Sequence, residues 1–194
     1  MAESLFDKLE AEAYRRNLPK RSKEASTWFK SQLKSMGQIN MHKMLKDDRL
    51  KKQRPRIGEM FMYVYDPKHR KTLPYYDRFP LTIIVDKAPG GFYGLNLHYL
   101  PLVIRAKLLD KLSEIANNQK YDATTRLKLN YKLLAGAKKY KYFKPCFKHY
   151  LTRQINSRVM KVEASEWDIA IFLPTENFSG AKKTKVWKDS RKKW

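Results

Sequence analysis

The sequence predicts an α+β protein, a small bent antiparallel sheet or partial barrel flanked by helices and carrying a basic helical N-terminal arm. Three observations lead there. Between Gly58 and Leu100 three β-rich runs are separated by turn signals. From Pro101 onward the apolar spacing changes from two to three and four. Charge is also unevenly distributed: residues 58–100 hold 5 bases and 4 acids, whereas the segments on either side are strongly basic.

Residues 1–57 contain 15 bases, 7 acids and no β-rich run. A helix is expected from about Ser4 to Tyr14, interrupted by Pro19. A second starts near Ser22, where Ala25, Trp28, Phe29 and Leu33 build one face. The stretch from His42 to Arg56 is more solvated, so the arm is read as helical and loosely attached to a core domain spanning 58–180.

In that domain Met60 to Tyr65 forms a first strand, ended by Asp66 and Pro67. Leu81 to Val85 and Phe92 to Leu97 follow, with the turn signal Pro89, Gly90, Gly91 between them, which implies an antiparallel meander. Tyr75, Tyr76 and Asp77 suit a structured loop at the mouth of the sheet, engaged in packing more than in recognition. Pro101 fits the first turn of a helix with Ile104, Leu108, Leu112 and Ile115 on its apolar stripe and Arg105, Lys107, Asp110 and Lys111 elsewhere. Asp122 can cap a further helix from Ala123 to about Ala135. Val159 to Val162 suggests another strand, and Ser165 to Asp168 opens either a short helix into Ile171 or a final strand. Residues 181–194 read as a basic C-terminal tail. Tyr63, Tyr65, Leu81, Ile83, Val85, Phe92, Leu95, Leu97, Leu108 and Leu112 are the expected core.

Over the whole chain, 42 Lys and Arg stand against 19 Asp and Glu, a formal charge of +23 on 194 residues. Self-repulsion of this size opposes the compact state and implies a polyanionic partner. The longest uncharged apolar run, Phe79 to Val85, is far shorter than the roughly 20 residues of a membrane span, so nucleic acid is favoured over a membrane. The N-terminus alternates acids and bases and lacks the pattern of a secretory signal, so the chain is expected to stay inside the cell that makes it. Cys146 stands alone, fits a reducing compartment and is read as a small core residue.

Three clusters are candidates for contacting phosphates. In the segment from Lys138 to Tyr150 cations alternate with aromatics: Lys138, Lys139, Lys141, Lys144 and Lys148 suit phosphates, while Tyr140 and Tyr142 could stack on bases or anchor the segment in the core. The others are Arg15, Arg16, Lys20 and Arg21, and Lys51, Lys52, Arg54 and Arg56. Several separate clusters suggest a surface that tracks a backbone, although each alone also suits a solvated helix face. Gly91 to Tyr99 alternates glycines with aromatics but has no phosphate-loop pattern, so close strand packing explains its glycines. His98 is read as structural, hydrogen-bonded near a strand end.

A nuclease would be basic too, but metal-dependent cleavage needs converging carboxylates. Asp47, Asp48, Asp66, Asp77, Asp86 and Glu163 form no recognisable strand-borne pair. His42, His69, His98 and His149 have no zinc spacing, and one cysteine cannot complete a cysteine-rich site. No catalytic residue, metal or cofactor is therefore expected.

Four stretches carry a family resemblance: YVYDPKHRKTLPYYDRFPL (Tyr63 to Leu81), GFYGLNLHYLP (Gly91 to Pro101), KYFKPCFKHYL (Lys141 to Leu151) and EWDIAIFLPTENF (Glu166 to Phe178). In order and spacing they resemble the DNA end protector, or head completion, proteins of T-even-type tailed phages. The arm lies outside this resemblance. It implies a non-enzymatic virion protein that binds the ends of packaged duplex DNA, shields them from host exonuclease, and enters the host cytoplasm with the DNA. Phage head or portal proteins are implied as further partners. The rival reading is a structural neck, portal or tail completion protein that touches mainly other virion proteins.

Overall fold

The computed structural model describes residues 5–19, 24, 25, 27, 28, 31, 32, 55–116, 119, 120, 122, 125, 131–136, 139, 141–163 and 166–192. The elements are helix α1 (Leu5–Arg15), strands β1 (Met60–Met62), β2 (Tyr76–Asp77), β3 (Leu81–Ala88) and β4 (Gly91–Asn96), and helix α2 (Leu102–Ala116). They continue with strands β5 (Phe147–Leu151) and β6 (Met160–Val162), helix α3 (Trp167–Ala170), strand β7 (Phe178–Ser179) and helix α4 (Lys183–Lys192). The described residues of the second arm helix are helical, as are residues 131–136 of the one expected after Asp122. Thr125 is helical too and donates its N–H to Asp122 Oδ1 at 2.9 Å, the expected cap, and the other residues of that helix lie outside the described residues.

Five strands form an antiparallel sheet in the order β5-β4-β3-β1-β6, with β5 and β6 at its edges, so the sheet does not close into a barrel. β1, β3 and β4 are the expected meander. The register shifts between Ile84 and Asp86, a bulge that adds local twist. β2 and β7 pair separately and tie the loop before β3 to the segment before α4.

The alternation along β1 and β3 serves two buried faces. Met60, Met62, Leu81, Ile83, Val85 and Leu95 join the main core with Leu108, Leu109 and Leu112 of α2, Ile169 to Leu173, and Val186 of α4. Phe61, Tyr63, Tyr65, Ile84, Phe92 and Tyr150 form a second cluster. There the Tyr150 ring meets Tyr65 edge-on at 4.9 Å and Tyr63 at 5.6 Å. All ten expected core residues are buried.

Two glycines of β4 let its neighbours approach, β5 at Gly91 and β3 at Gly94. A Cβ on Gly91 would lie 1.8 Å from the Tyr150 carbonyl oxygen, and one on Gly94 would lie 2.2 Å from the Thr82 methyl. Close strand packing is thus the reason for both.

One expectation is overturned in α2. Arg105 does not face solvent with Lys107 and Lys111; it is 1% exposed. It sits one position from Ile104 on the inward side, where backbone carbonyls and an acid await its guanidinium.

Candidate nucleic-acid interface

The basic surface is built on a buried polar network. Asp77 at the end of β2 accepts hydrogen bonds from the Phe79 N–H (3.1 Å) and the Asn96 side-chain amide (3.0 Å), and lies 2.7 Å from His98 Nδ1. Burial pushes the Asp77 carboxyl up, but the charge of His98 and the hydrogen bonds from His98, Asn96 and Phe79 outweigh it and hold the group below its ordinary range. His98 Nε2 lies 3.2 Å from Thr175 Oγ1. This Asp, His and Thr order superficially matches a nucleophile triad. All three residues are at most 3% exposed, and His98 is hydrogen-bonded just past the end of β4, the place read for it from the sequence.

Beside them Arg105 satisfies three carbonyls, donating Nε to Leu100 (2.8 Å), Nη1 to Ile171 (3.1 Å) and Nη2 to His98 (3.3 Å). Its Nη2 pairs with Glu176 Oε1 at 2.6 Å. Burial raises the Glu176 carboxyl, yet the charge of Arg105, with smaller help from His98 and hydrogen bonding, brings it below the usual range. Trp187 of α4 donates its indole N–H to the same His98 carbonyl at 2.8 Å and lies 5.8 Å from the Arg105 guanidinium carbon. Val186 and Ser190 are buried on the same helix.

These anchors fix which way α4 faces. Lys183, Lys185, Lys188, Arg191 and Lys192 are exposed along it. α4 packs against the 3-10 turns Leu97–Tyr99 and Lys141–Cys146, the second of which carries exposed Lys144. A basic helix thus lies beside residues 141–146 of the cation and aromatic segment. Sequence reading treated residues 181–194 as a tail and named none of these cations; the signal was present in Val186, Trp187 and Ser190, which recur at helical spacing.

The expected site residues divide. Arg15 and Arg16 are exposed at the end of α1, with Arg16 held by Glu12 at 3.2 Å and placed 5.4 Å over the Trp28 ring. Arg56, before β1, Lys139 and Lys144 are also exposed. Lys148 is half-buried on β5 with its Nζ 4.2 Å from the centre of the Tyr99 ring. Lys20, Arg21, Lys51, Lys52, Arg54, Lys138 and Tyr140, and the side chains of Lys141 and Tyr142, lie outside the described residues.

The remaining aromatics of the segment are committed to packing. Phe143 lies against the main core, Phe147 stacks on Tyr93 at 5.7 Å, and Tyr150 is 3% exposed. The Tyr150 ring is thus held inside the second cluster and cannot stack on DNA. Cys146 is fully buried, and its thiol is pushed up to about 12 by desolvation.

Many acids are engaged by cations. Asp66 pairs with Arg70 (2.7 Å), and Glu59 and Glu163 both pair with Lys161 (3.3 and 3.1 Å). Among the described residues no three His, Cys, Asp or Glu side chains group in a way that could hold a metal.

No curated protein and no solved structure matches the chain. A family match spans residues 3–193 and includes the arm that the resemblance left out. The family is described as the phage T4 terminal DNA protecting protein, and the chain belongs to it.

Proposed function

We propose that the protein is a non-enzymatic cap that binds the ends of linear phage DNA and denies exonucleases a place to load. The observation that carries this reading is the net charge of +23 on a member of a terminal DNA protecting family. Phosphate neutralisation supplies the affinity, through the release of condensed counterions. Occupancy of the terminus is sufficient for protection, so no bond need be broken.

In this reading the cations of α4 and Lys144, together with Arg15, Arg16, Arg56 and Lys139, hold phosphates. The arm over 1–57, the core over 58–180 and the segment 181–194 contribute as three parts of one binding surface. The protein travels in the virion, docked on head or portal proteins, and enters the host cytoplasm with the DNA.

The test is binding to linear and covalently closed duplexes of equal length over a range of salt, followed by exonuclease digestion and incubation with Mg2+ alone. We expect a steep negative slope of log affinity against log salt, protection of the linear form, and intact DNA in Mg2+. Absence of salt-sensitive binding would favour the rival neck or portal role, and Mg2+-dependent cleavage would overturn the non-enzymatic reading.

A further inference from the structure

We infer that Tyr14, followed by Arg15 and Arg16, is a stacking platform for the open face of a terminal DNA base pair. The inference rests on the end-binding reading and deepens it by naming the contact that separates an end from internal duplex.

Besides its free terminal groups, an end differs from internal duplex in that its last base pair presents a π-face with no neighbour. A protein that reads this face needs a flat ring that its own fold leaves uncovered, with cations near enough to take the last phosphates. Most described aromatics fail the first requirement. Tyr63, Tyr65, Phe92 and Tyr150 fill the second cluster, Tyr93 stacks on Phe147, and Tyr99 is covered by Tyr75, Phe178 and Lys148. Tyr14 is 80% exposed, whereas Tyr131, the other exposed aromatic among the described residues, is 38% exposed.

The exposed ring stands on a fixed backbone. Leu9 and Ala13 of α1 are buried in the main core, which orients the helix. Its end is closed at Tyr14 itself: the Asn17 N–H donates to the Tyr14 carbonyl at 2.9 Å, and the Leu18 N–H donates to the Ala13 carbonyl at 3.1 Å. Asn17 takes the left-handed conformation, φ 54, that terminates a helix. A ring placed this way loses little backbone entropy on stacking.

The charges fit the same ligand. A helix C-terminus carries partial negative charge that would repel phosphate. Arg15 and Arg16 put exposed cations at that end, Arg16 paired with Glu12 and set over Trp28. The end of α1 thus carries one uncovered ring and two exposed cations next in sequence, able to meet a terminal pair and the phosphates around it and offering no equivalent stack to internal duplex.

The test uses the full-length chain and its Tyr14→Ala and Tyr14→Phe variants. Substrates are a blunt linear duplex with 2-aminopurine in the terminal pair, a closed circle of equal length, and a single strand. Circular dichroism checks the fold, which an exposed substitution should leave unchanged. We expect Tyr14→Ala to lose about tenfold in affinity for the linear duplex and the terminal 2-aminopurine quench, with no change on the circle, and Tyr14→Phe to match wild type. Equal behaviour of Tyr14→Ala and wild type, or equal losses on linear and circular DNA, would overturn the inference. A loss confined to the single strand would overturn it too, by assigning the ring to unpaired bases. Wild-type protein with no preference for linear over circular DNA would instead sink the end-binding reading, so the two failures are distinguishable.

Discussion

Replacing Arg105 with methionine should cost about 3–5 kcal/mol of stability, the range for removing one partner of a buried ion pair. The magnitude follows from what is left behind. Glu176, whose side chain is 3% exposed, loses the guanidinium 2.6 Å away, and the Leu100, Ile171 and His98 carbonyls lose a donor. The carbonyl losses are not added in full, because His98 keeps the Trp187 N–H. Urea unfolding should show a lower midpoint at unchanged slope. For a chain of this size the midpoint temperature should fall by roughly 6–20 °C.

Acid supplies an internal control. The folded Glu176 pKa is lowered in the wild type, so its contribution is present above the unfolded pKa and is lost as pH falls through the folded value. In Arg105→Met burial dominates, the pKa rises, and protonation relieves the uncompensated charge. The gap between variant and wild type should therefore narrow below the ordinary glutamate range, and Arg105→Met with Glu176→Gln should be more stable than Arg105→Met alone. A cost under about 1 kcal/mol, or a gap of equal size at neutral and acid pH, would refute the reasoning.

Gly91→Ala should cost more than the ~1–3 kcal/mol typical of overpacking, because its Cβ meets the backbone oxygen of Tyr150 at 1.8 Å, whereas at Gly58 the space is empty and only the φ of +84 opposes a side chain. Comparison of urea midpoints for the two alanine variants checks this. The Cys146 thiol, pushed up to about 12 and fully buried, should ignore a thiol reagent at pH 8 and react once denaturant is added. Lys188→Ala should reduce the salt slope of duplex binding by about one, and Lys161→Ala, whose ammonium is shared by Glu59 and Glu163, should leave the slope unchanged.

The central strands and α2 were legible because period-two and period-three-to-four patterns are local. β5 was not, since the run from Phe147 to Leu151 mixes aromatics with Lys148 and His149 and meets Gly91 of β4 only through a pairing distant in sequence. β2 and β7 are two residues each, too short for any period. Arg105 was misread because the group that tolerates its burial, Glu176, lies far along the chain, on the segment that follows α3. The basic clusters were visible as composition, but sequence did not reveal that α4 packs beside the turn bearing Lys144. Tyr14 was visible only as part of a helix, since neither its exposure nor the closure of α1 beneath it has a local pattern.

α4 would be a poor helix by itself. It has no acid in its first turn, where the macrodipole favours one, and Lys185, Lys188, Arg191 and Lys192 stand three or four residues apart with like charge. Its register is imposed by Val186, Trp187 and Ser190, so the repulsion among its cations is held in place by the core. Salt should then act in opposite directions on the two states of the molecule. Added ions screen that repulsion and firm up the free protein, while the same ions compete for phosphate and loosen the complex. A polyanion settling along the helix should screen the same repulsion, so the protein should resist unfolding most when it is bound.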